Sequence, residues 1–550
     1  MIDYQYISDL LRNEMYEECY EEIIKGLKQN YKDYELYFAL GEYYLTRNIN
    51  QAYLCYENAL FYCEDEKDKE YICNVINEVK NQGVEVNPYS VIIVSYNSSD
   101  AMKICIDSIK NNINIIDNQI IVVDNDSSDG IREWLEKQDN VILIKNNDNK
   151  GFGAACNQGI KAASSDYDIF LLNNDTLVTP NAIFWMRMGL YENSKVGAVG
   201  CESNCAAGQM IEEKYKSLEE YIKYGISNNI PSKNPYEKRV WLSGFALMFK
   251  RRALDDIGIL DLRYGMGYYE DVDICVRLQY AGYQCVLCHN SFIFHWGSKS
   301  FGENKKRQQE LMQTNRMIFK EKWDFDIQYY SYAREDIISL ITDSKDIPIR
   351  VLEIGCGCGA TLSKIKYIWP DSKVEGIEIV DSIAKIGANN LHIVQGNIEN
   401  MNMNYPEKYF DYVIMGDVLE HLLEPAKVLM NIKQYLKNTA KLLISIPNIM
   451  HISVLIPLLK GEFQYKESGI LDETHVKFFT LKSIAELLNL CGYIPEEYAA
   501  IINEVESSNI SDIEKNKFFN ALEKIPDAAD KVQFNAYQYV IKADVESASE

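Results

Sequence analysis

The chain lacks any long apolar run, and it has few basic residues relative to acidic ones. Its longest largely apolar segment, Ile452–Leu459, ends at Lys460, whereas a helix that crosses a bilayer needs about 20 apolar residues. The sequence therefore predicts no transmembrane segment, and only a peripheral role at the inner face of a membrane stays open. The 56 basic residues against 81 acidic ones give a formal charge of −25, which opposes binding to nucleic acid and to anionic lipid.

The N-terminus also lacks the basic and apolar regions of a signal peptide, because it reads MIDYQYISDLLRNEMYEE. Without an export signal, the expected location is the cytoplasm. The 14 cysteines in 550 residues form no disulfide framework of the kind found in small secreted domains. We expect them to be reduced and mostly buried.

Length and composition predict an ordinary globular protein of several modules. Single cores stop growing at roughly 250 to 300 residues, and 47% apolar with 25% charged residues is typical of folded domains. We predict a helical segment at 1–86, an α/β domain at 87–323, a helical connector at 324–348, a second α/β domain at 349–543 and a disordered tail at 544–550. No flexible Gly/Ser linker separates the two α/β domains.

The first 86 residues show helical periodicity and no strand signal. Small and aromatic residues recur at nearly the spacing of a tetratricopeptide repeat: Tyr37, Leu40, Gly41, Tyr44, Ala52, Tyr56 and Ala59. This spacing predicts a TPR-like segment, for which a protein partner is a further expectation. A plain helical hairpin that packs on the next domain is the alternative, because a single repeat cannot bury its own face.

From Tyr89 onward the pattern changes to apolar strands that alternate with helical stretches. The strands read SVIIVSYN, QIIVVDNDSSDG, VILIKNND and YDIFLLNND, and such alternation predicts a parallel sheet covered by helices. Ligands of such sheets bind at the carboxyl ends of the strands. The polar residues at these ends are Tyr96, Asn97, Asp124, Asn125, Ser127, Asn173, Asn174 and Asp175.

The order of short motifs in this region resembles family 2 glycosyltransferases of the GT-A fold, and among them the rhamnosyltransferase-like group. The motifs are VSYNS, VVDNDSSDG, NKGFGAACNQGI, LLNNDT, WLSGFALMFKRRALDDIG, GMGYYEDVDICVRLQYAGY and FHWGS. The resemblance covers about Pro88 to Trp323. It implies transfer of a sugar, for example a deoxyhexose such as rhamnose, from a nucleotide sugar such as dTDP-rhamnose or a UDP-sugar.

The resemblance also implies roles for the strand-end residues. A departing nucleoside diphosphate needs a divalent metal, Mg²⁺ or Mn²⁺, which Asp175 would coordinate with help from His295. Asp124 would contact the base or ribose, Tyr96 would pack on the base, and Trp241 would line the acceptor side. The full nucleotide-sugar-binding set is Tyr96, Asn97, Asp124, Asn125, Asn157, Asn174 and Trp241.

An inverting displacement needs a carboxylate that accepts the proton of the attacking hydroxyl. By resemblance Asp271 is this catalytic base, and the neighbouring Glu270 orients it or the acceptor. Taken singly, these acidic residues could merely favour the positive end of a helix. Many relatives carry an aspartate where Asn173 or Asn174 stands, so the metal has fewer carboxylates here.

A second strand, Ile349–Ile354, enters the glycine-rich loop of VLEIGCGCG. Such a loop could serve a dinucleotide, but the spacing is G-x-G-x-G and not the fingerprint G-x-G-x-x-G. The segments that follow are VEGIEI, VQGNIE, FDYVIMGDVLEHLLEP and GILDETHVKFFT. In this order they resemble class I methyltransferases that use S-adenosyl-L-methionine, over about Ile349 to Ala543, with a Rossmann-like fold.

This second resemblance assigns a methyl-donor site and an acceptor side. Residues implied in S-adenosylmethionine binding are Glu353, Gly355 and Gly357 at the methionine end, Glu378 at the ribose, Asn397 and Ile398 at the adenine, and Asp417, which closes the site. O-methylation needs a group that takes the proton of a hydroxyl, and His475 and His421 are the catalytic candidates. Phe534–Ala543 is expected to form the last strand of the sheet.

Three functions stay open on the sequence alone. The first is a bifunctional enzyme that transfers a sugar and O-methylates the glycan, in the biosynthesis of a bacterial surface polysaccharide or of a glycoprotein such as flagellin. The second is a methyltransferase whose GT-A-like domain only binds sugar, which the asparagines 173 and 174 motivate. The third is a scaffold that is recruited through the TPR-like segment.

Overall fold

The computed structural model describes residues 2–114, 117–297, 305–508, 510–525, 527 and 529–546. The chain divides into two compact units, Met1–Ile327 and Gln328–Glu550. Ser298, the last residue of the predicted motif FHWGS, and residues 547–550 of the predicted disordered tail lie outside the described residues.

The first unit begins with helices, as predicted. They are α1 (Tyr4–Arg12), α2 (Tyr16–Gln29), α3 (Tyr34–Leu45), α4 (Ile49–Tyr62) and α5 (Glu66–Lys80). Asn48 caps α4, because its Oδ1 accepts the backbone N–H groups of Asn50 and Gln51. Gly41 lets α3 approach α4 closely, since a Cβ there would lie 2.4 Å from a ring carbon of Tyr56.

One face of α4 packs on a helix of the following α/β fold. The Gln51 side chain donates to the carbonyl of Met188 over 2.9 Å, and Glu57 forms an ion pair with the buried Arg187. This packing agrees with a helical segment that shares a core with the next domain. Whether the segment is a true tetratricopeptide repeat stays a prediction.

A mixed sheet forms the rest of this unit. Its strands are β1 (Tyr89–Ser95), β2 (Gln119–Asp124), β3 (Val141–Lys145), β4 (Asp168–Asn173), β5 (Thr176–Val178), β6 (Val196–Glu202), β7 (Tyr236–Arg239), β8 (Ala246–Phe249) and β9 (Gln284–His295). Its helices are α6 (Ser99–Lys110), α7 (Ile131–Leu135), α8 (Phe152–Ala162), α9 (Ala182–Leu190), α10 (Leu218–Asn228), α11 (Arg251–Ile257), α12 (Glu270–Tyr280) and α13 (Lys305–Trp323). The short helix α14 (Ile327–Tyr330) begins at the last residue of this unit. The strand order is β3-β2-β1-β4-β8-β6-β9-β5, with β7 also paired to β9.

The register of this sheet brings the polar strand ends together. Ser95 of β1 is paired with Asp124 of β2, and Val94 is paired with Asn173 of β4, all in parallel strands. β5 runs antiparallel to β9 and pairs Thr176 with His295. The residues that follow β1, β2 and β4 and the end of β9 therefore share one edge.

The second unit is a Rossmann-like arrangement around another sheet. Its strands are β10 (Arg350–Ile354), β11 (Lys373–Glu378), β12 (His392–Gln395), β13 (Phe410–Gly416), β14 (Leu436–Pro447), β15 (Tyr493–Ile501) and β16 (Gln538–Val545). Its helices are α15 (Glu335–Ile338), α16 (Ala360–Ile368), α17 (Asp381–Ala388), α18 (Pro425–Lys433), α19 (Ile452–Leu459), α20 (Leu481–Leu490), α21 (Glu504–Ser508), α22 (Asp512–Leu522) and α23 (Lys531–Asn535). The strand order is β12-β11-β10-β13-β14-β16-β15, and only the pairings of β16 are antiparallel within the described sheet.

Two boundaries differ from those expected. The last strand starts at Gln538 and not at Phe534, because Phe534 belongs to α23 and packs with Ile452 and Ile456 of α19. The same strand continues to Val545, past the expected start of a disordered tail at 544. Asp544 is held there by its pairing with Lys441 of β14.

Two expectations from composition can be compared with the structure directly. Among the described residues, no helix has both the length and the apolar character needed to cross a bilayer. Each of the 14 cysteines is a free thiol, and most are buried.

Candidate active sites

Asp124 lies at the end of β2 with its carboxylate fully buried. Its Oδ2 accepts hydrogen bonds from Arg132 Nε at 2.7 Å and from the backbone N–H of Ser127 at 3.3 Å. Its Oδ1 is buried and has no hydrogen-bond partner within the described parts of the chain. A buried oxygen without a donor is costly, and the ring N–H or hydroxyl of a nucleotide would satisfy it. Arg132 was not singled out from the sequence, since only folding brings it against Asp124.

The residues after β1 shape the neighbouring loop. Tyr96 is half-buried, whereas Asn97 is exposed and has a positive φ of 46°. Asn97 Oδ1 accepts the backbone N–H of Ser128 at 2.8 Å, and its own N–H donates to Ser127 Oγ. Asn97 thus ties the loop after β1 to the loop after β2.

Asn125 and Asn157 are both buried, and their amides bond to other parts of the fold. Asn125 accepts from Asn146 and donates to the carbonyl of Gly151. Asn157 bonds both backbone groups of Leu260, at 2.8 and 3.0 Å. The geometry makes them positioning groups for the loops around the site, while their predicted contact with the nucleotide sugar stays a prediction.

Asp175 and His295 face each other at the sheet edge. Both are buried, and His295 Nε2 lies 3.1 Å from Asp175 Oδ1. His295 Nδ1 lies 2.6 Å from the carbonyl of Cys205, which favours a proton on Nδ1 and leaves Nε2 facing Asp175. Burial alone would lower the pKa of His295, but the hydrogen bond and charge of Asp175 outweigh it and raise that pKa.

This pair fits a divalent cation. Two neighbouring ligands of an octahedral ion with bonds near 2.1 Å lie about 3.0 Å apart, close to the observed separation. Asn173 adds an amide whose Nδ2 lies 3.3 Å from His295 Nε2, and Asn174 is buried beside it in the chain. Asp175 and His295 are therefore the residues that would hold the metal.

The segment before β8 links this pair to the predicted base. The backbone N–H of Asn173 donates to the carbonyl of Phe245 at 2.8 Å, and the Phe245 ring stacks on His295 with centroids 5.2 Å apart. The preceding residue, Gly244, donates its N–H to Asp271 Oδ2 at 2.8 Å. Trp241 is half-buried at the start of the same segment. Asp271 thus lies at the same edge as the Asp175–His295 pair.

Glu270 and Asp271 form the first turn of α12. Burial and the neighbouring charge of Asp271 raise the pKa of Glu270 to about 8, and one of its oxygens has no partner. Burial also raises the pKa of Asp271, but the N–H groups of Gly244 and Val272 oppose this rise. The two N–H groups that Asp271 accepts favour its ionised form, whereas burial and the charge of Asp271 oppose ionisation of Glu270.

The raised pKa of Glu270 predicts a pH-dependent stability. Its pKa is 4.5 in the unfolded chain and about 8 in the folded one. Between these values the folded protein holds a proton that the unfolded chain has released, so the free energy of unfolding falls as the pH rises. Glu270→Gln removes this loss, and we expect its stability advantage over the wild type to grow by up to a few kcal/mol from pH 5 to pH 8.

Urea unfolding at pH 5, 6.5 and 8 measures this difference. Glu219→Gln is the matched control, because Glu219 is an exposed residue of α10 that pairs only with Lys223 on the surface. A difference between Glu270→Gln and wild type that does not change with pH would contradict the assignment.

In the second unit, the loop after β10 contains glycines with positive φ, among them Gly355 and Gly357. Gly355 and Gly357 have φ values of 72° and 55°. A Cβ at Gly355 would lie 2.6 Å from a methyl carbon of Val418, and one at Gly357 would lie 2.9 Å from the carbonyl oxygen of Tyr330. Such a close-packed glycine loop after a strand lets a ligand approach the backbone.

Two acidic residues flank this loop. Glu353 is buried, and its Oε2 has no partner; burial raises its pKa to about 8, although a hydrogen bond with Thr361 opposes the rise. Glu378 ends β11 and accepts the N–H groups of Gly357 and Val380, both at 2.9 Å. The unpaired oxygen of Glu353 suits an ammonium group, and Glu378 suits a pair of hydroxyls, so the residues present fit S-adenosylmethionine.

The remaining predicted donor-site residues lie on the next loops. Asn397 Oδ1 accepts the N–H of Glu399 at 2.9 Å and so shapes its own turn, while Ile398 packs at the margin of the core. Asp417 follows β13 with a positive φ of 55°. Its carboxylate accepts from Arg334 at 2.9 Å and from Ser445 at 2.7 Å.

Arg334 was not singled out from the sequence. It lies in the predicted connector, where no motif marks it, yet it also bonds Asp336.

His421, which follows β13, lies next to His475. Their rings contact edge to face with centroids 4.8 Å apart. Burial, followed by the proximity of His475, lowers the pKa of His421. Both histidines proposed for the acceptor side therefore lie together.

The first unit matches a family model over part of its length. Residues 90–258 match the model described as Glycosyl transferase family 2. Poly-beta-1,6-N-acetyl-D-glucosamine synthase of Staphylococcus aureus is 27% identical over 209 residues, which are 36% of this chain and 48% of that protein. A solved mannosyltransferase of Pyrobaculum calidifontis, in complex with GDP-Man and Mn²⁺, has a TM-score of 0.32 and 15% identity, and it covers 52% of this chain and 73% of its own.

The second unit matches a different family model. Residues 325–497 match the model described as Methyltransferase domain. Malonyl-[acyl-carrier protein] O-methyltransferase of Halalkalibacterium halodurans is 26% identical over 142 residues, 24% of this chain and 50% of that protein. A solved SAM-dependent methyltransferase of Archaeoglobus fulgidus has a TM-score of 0.30 and 20% identity, with 42% of this chain and 98% of its own covered.

Residues 90–258 are therefore similar to family 2 glycosyltransferases, and residues 325–497 are similar to methyltransferases. The fold is GT-A-like in the first unit and Rossmann-like in the second, as predicted. The chain spans about half the length of the curated relatives it matches.

Proposed function

We propose that this protein transfers a sugar from a nucleotide sugar with inversion and O-methylates the glycan with S-adenosylmethionine. The observation that carries the proposal is that the first sheet edge gathers three unlike groups. These are Asp124 with an unpaired oxygen, the Asp175–His295 pair, and the Asp271 carboxylate. Asp124 suits a nucleoside, the Asp175–His295 pair suits a cation bound to a diphosphate, and Asp271 suits an attacking hydroxyl.

In the sugar transfer, Asp271 accepts the proton of the acceptor hydroxyl while the oxygen of that hydroxyl bonds to the anomeric carbon. The bond from that carbon to the diphosphate breaks, and a divalent cation bound there would stabilise the charge of the leaving group. Asp175 and His295 would hold that cation, and Asp124 would bind the nucleoside. Glu270 remains protonated and so leaves Asp271 as the ionised partner.

In the methyl transfer, the acceptor oxygen attacks the methyl carbon as the bond from that carbon to sulfur breaks. Glu353, Glu378 and the glycine loop hold the donor, and His475 or His421 receives the hydroxyl proton. A deoxyhexose such as rhamnose, carried by dTDP or UDP, is the proposed donor sugar. The proposed acceptor is a bacterial surface polysaccharide or a glycoprotein such as flagellin.

The experiment incubates the full chain with Mn²⁺, S-adenosylmethionine, a panel of dTDP-, UDP- and GDP-sugars and glycan acceptors. We expect release of a nucleoside diphosphate with one donor class and release of adenosylhomocysteine when the acceptor is present. Asp175→Asn should abolish the first product while S-adenosylmethionine binding is unchanged. Failure of every donor, with or without acceptor, to yield either product would overturn the proposal.

A second function is a methyltransferase with a GT-A-like domain that only binds sugar. It is favoured by the amide of Asn173, which faces His295 where a carboxylate would strengthen metal binding. This alternative expects methyl transfer to a preformed glycan without any Mn²⁺-dependent release of nucleoside diphosphate. The same assay separates the two functions.

A further inference from the structure

The second unit contains a buried carboxylate that neither predicted site explains. Glu420 lies in the short 3-10 turn Leu419–His421 that follows β13. It is only 1% exposed, and neither carboxylate oxygen has a hydrogen-bond partner among the residues that the structure describes. The nearby cation of Arg334 is bonded to Asp417 and Asp336. Because an unpaired buried carboxylate is strongly disfavoured, a cation that is absent from the protein chain itself is the expected partner.

The fold brings two imidazoles to this carboxylate. The backbone carbonyl of Glu420 accepts the N–H groups of Val476 and Lys477, at 2.9 and 3.0 Å. These bonds fix the loop that carries His475 against the turn that carries His421. One ligand atom from each of Glu420, His421 and His475 lies within 4.8 Å of the others.

Both imidazoles are oriented by their Nδ1 atoms. His475 Nδ1 lies 2.9 Å from the carbonyl of Ile470, and His421 Nδ1 lies 3.1 Å from Thr474 Oγ1 and 3.3 Å from the Thr474 carbonyl. A proton on Nδ1 leaves the Nε2 lone pair free to bind a metal. This arrangement is the one in which metal-binding histidines are commonly held.

We propose that Glu420, His421 and His475 bind one divalent transition-metal ion, which in turn binds the hydroxyl oxygen of the methyl acceptor. Two imidazoles and one carboxylate suit Zn²⁺ or Mn²⁺ better than Mg²⁺. Three protein ligands leave a coordination position open for a substrate oxygen. Ligand atoms around such an ion lie about 3.4 Å apart, so the side chains close by about an ångström on binding.

The acceptor role rests on the proposed methyl transfer. The ion polarises the hydroxyl, the O–H bond breaks and its proton passes to solvent. The oxygen then bonds to the methyl carbon as the carbon–sulfur bond breaks, and adenosylhomocysteine leaves. Asp417, a predicted donor-site residue, lies three residues before Glu420, which places the ion next to the loop that closes the donor site. In this arrangement His421 and His475 act as ligands rather than as proton acceptors.

The test measures metal binding to the full chain, with Asp175→Asn as background to remove the proposed metal site of the first unit. Equilibrium dialysis with Mn²⁺, Zn²⁺ or Co²⁺ should give one bound ion per chain. Adding His475→Gln or Glu420→Gln should weaken that binding at least 10-fold. His392→Gln is the matched control, because His392 is an exposed histidine of the same unit and should leave binding unchanged.

Measurements of S-adenosylmethionine affinity and of methyl transfer separate this inference from the proposed function. S-adenosylmethionine affinity should stay within about 2-fold in Glu420→Gln, which also reports that the unit is folded. If no ion binds, or if the ion binds equally well without His475 and Glu420, the metal site is refuted. The proposed methyl transfer would still stand in that case if the protein methylates an acceptor in the presence of a chelator. If the ion binds as expected but no acceptor is ever methylated, the metal site stands and the proposed methyl transfer fails.

Discussion

Asp271→Asn is expected to lower kcat for sugar transfer about 10²- to 10⁴-fold, the range that a positioned general base contributes. The substitution keeps the size of the side chain but removes the charge that accepts the hydroxyl proton. Asparagine can still accept the N–H of Gly244 through its oxygen, so the segment before β8 stays in place. Transfer of radiolabelled sugar to the acceptor, measured at saturating donor, gives the rate.

Two controls make this result specific. Asp255→Asn removes an exposed carboxylate of α11 that pairs only with Arg251, and it should leave the rate unchanged. Binding of the nucleotide sugar to the Asp271→Asn variant should also be unchanged, because Asp124 and Asp175 are intact. A variant at position 271 that transfers sugar within about 3-fold of the wild type, a loss far smaller than the range above, would show that Asp271 is not the base.

Glu378→Ala is expected to weaken S-adenosylmethionine binding about 10²- to 10⁴-fold. Two charge-assisted hydrogen bonds to ribose hydroxyls, at roughly 1.5 to 3 kcal/mol each, account for a loss of this size. The alanine also leaves the N–H groups of Gly357 and Val380 without their acceptor, which loosens the glycine loop. Isothermal titration of the full chain with S-adenosylmethionine measures the affinity.

The control for this variant lies on the same strand. Glu375→Ala, three residues earlier in β11, removes a carboxylate that bonds the exposed His392 and should leave the affinity within about 2-fold. Unfolding by urea reports whether Glu378→Ala is folded. Unchanged affinity in a folded Glu378→Ala variant would place the ribose elsewhere.

The sequence was most informative where the chemistry follows from sheet geometry. Parallel strands end at one edge, so the motifs alone indicated that Asp124 and Asp175 would lie near one another. The positions of Gly355 and Gly357 were equally readable, because only glycine tolerates their backbone conformation in so close a packing. Both α/β folds could be predicted because apolar strands alternate with helical stretches along the sequence.

The parts that escaped prediction depend on contacts between distant segments. Arg334 meets Asp417 across 83 positions of sequence, and no local pattern marks such a pair. The unpaired state of Glu420 is a property of its surroundings and not of the motif DVLEH. Phe534 continued an alternating pattern into α23, where packing against α19 decides the conformation and alternation does not.

The segment before β8 carries a geometric consequence. Gly244 contacts Asp271 and the adjacent Phe245 contacts His295, so a single peptide unit separates the residue that holds the proposed base from the residue that stacks on the proposed metal ligand. That interval is fixed by covalent bond lengths rather than by the packing of two independent elements. A change in the surrounding loops would therefore leave the distance between the proposed base and the proposed metal ligand unchanged.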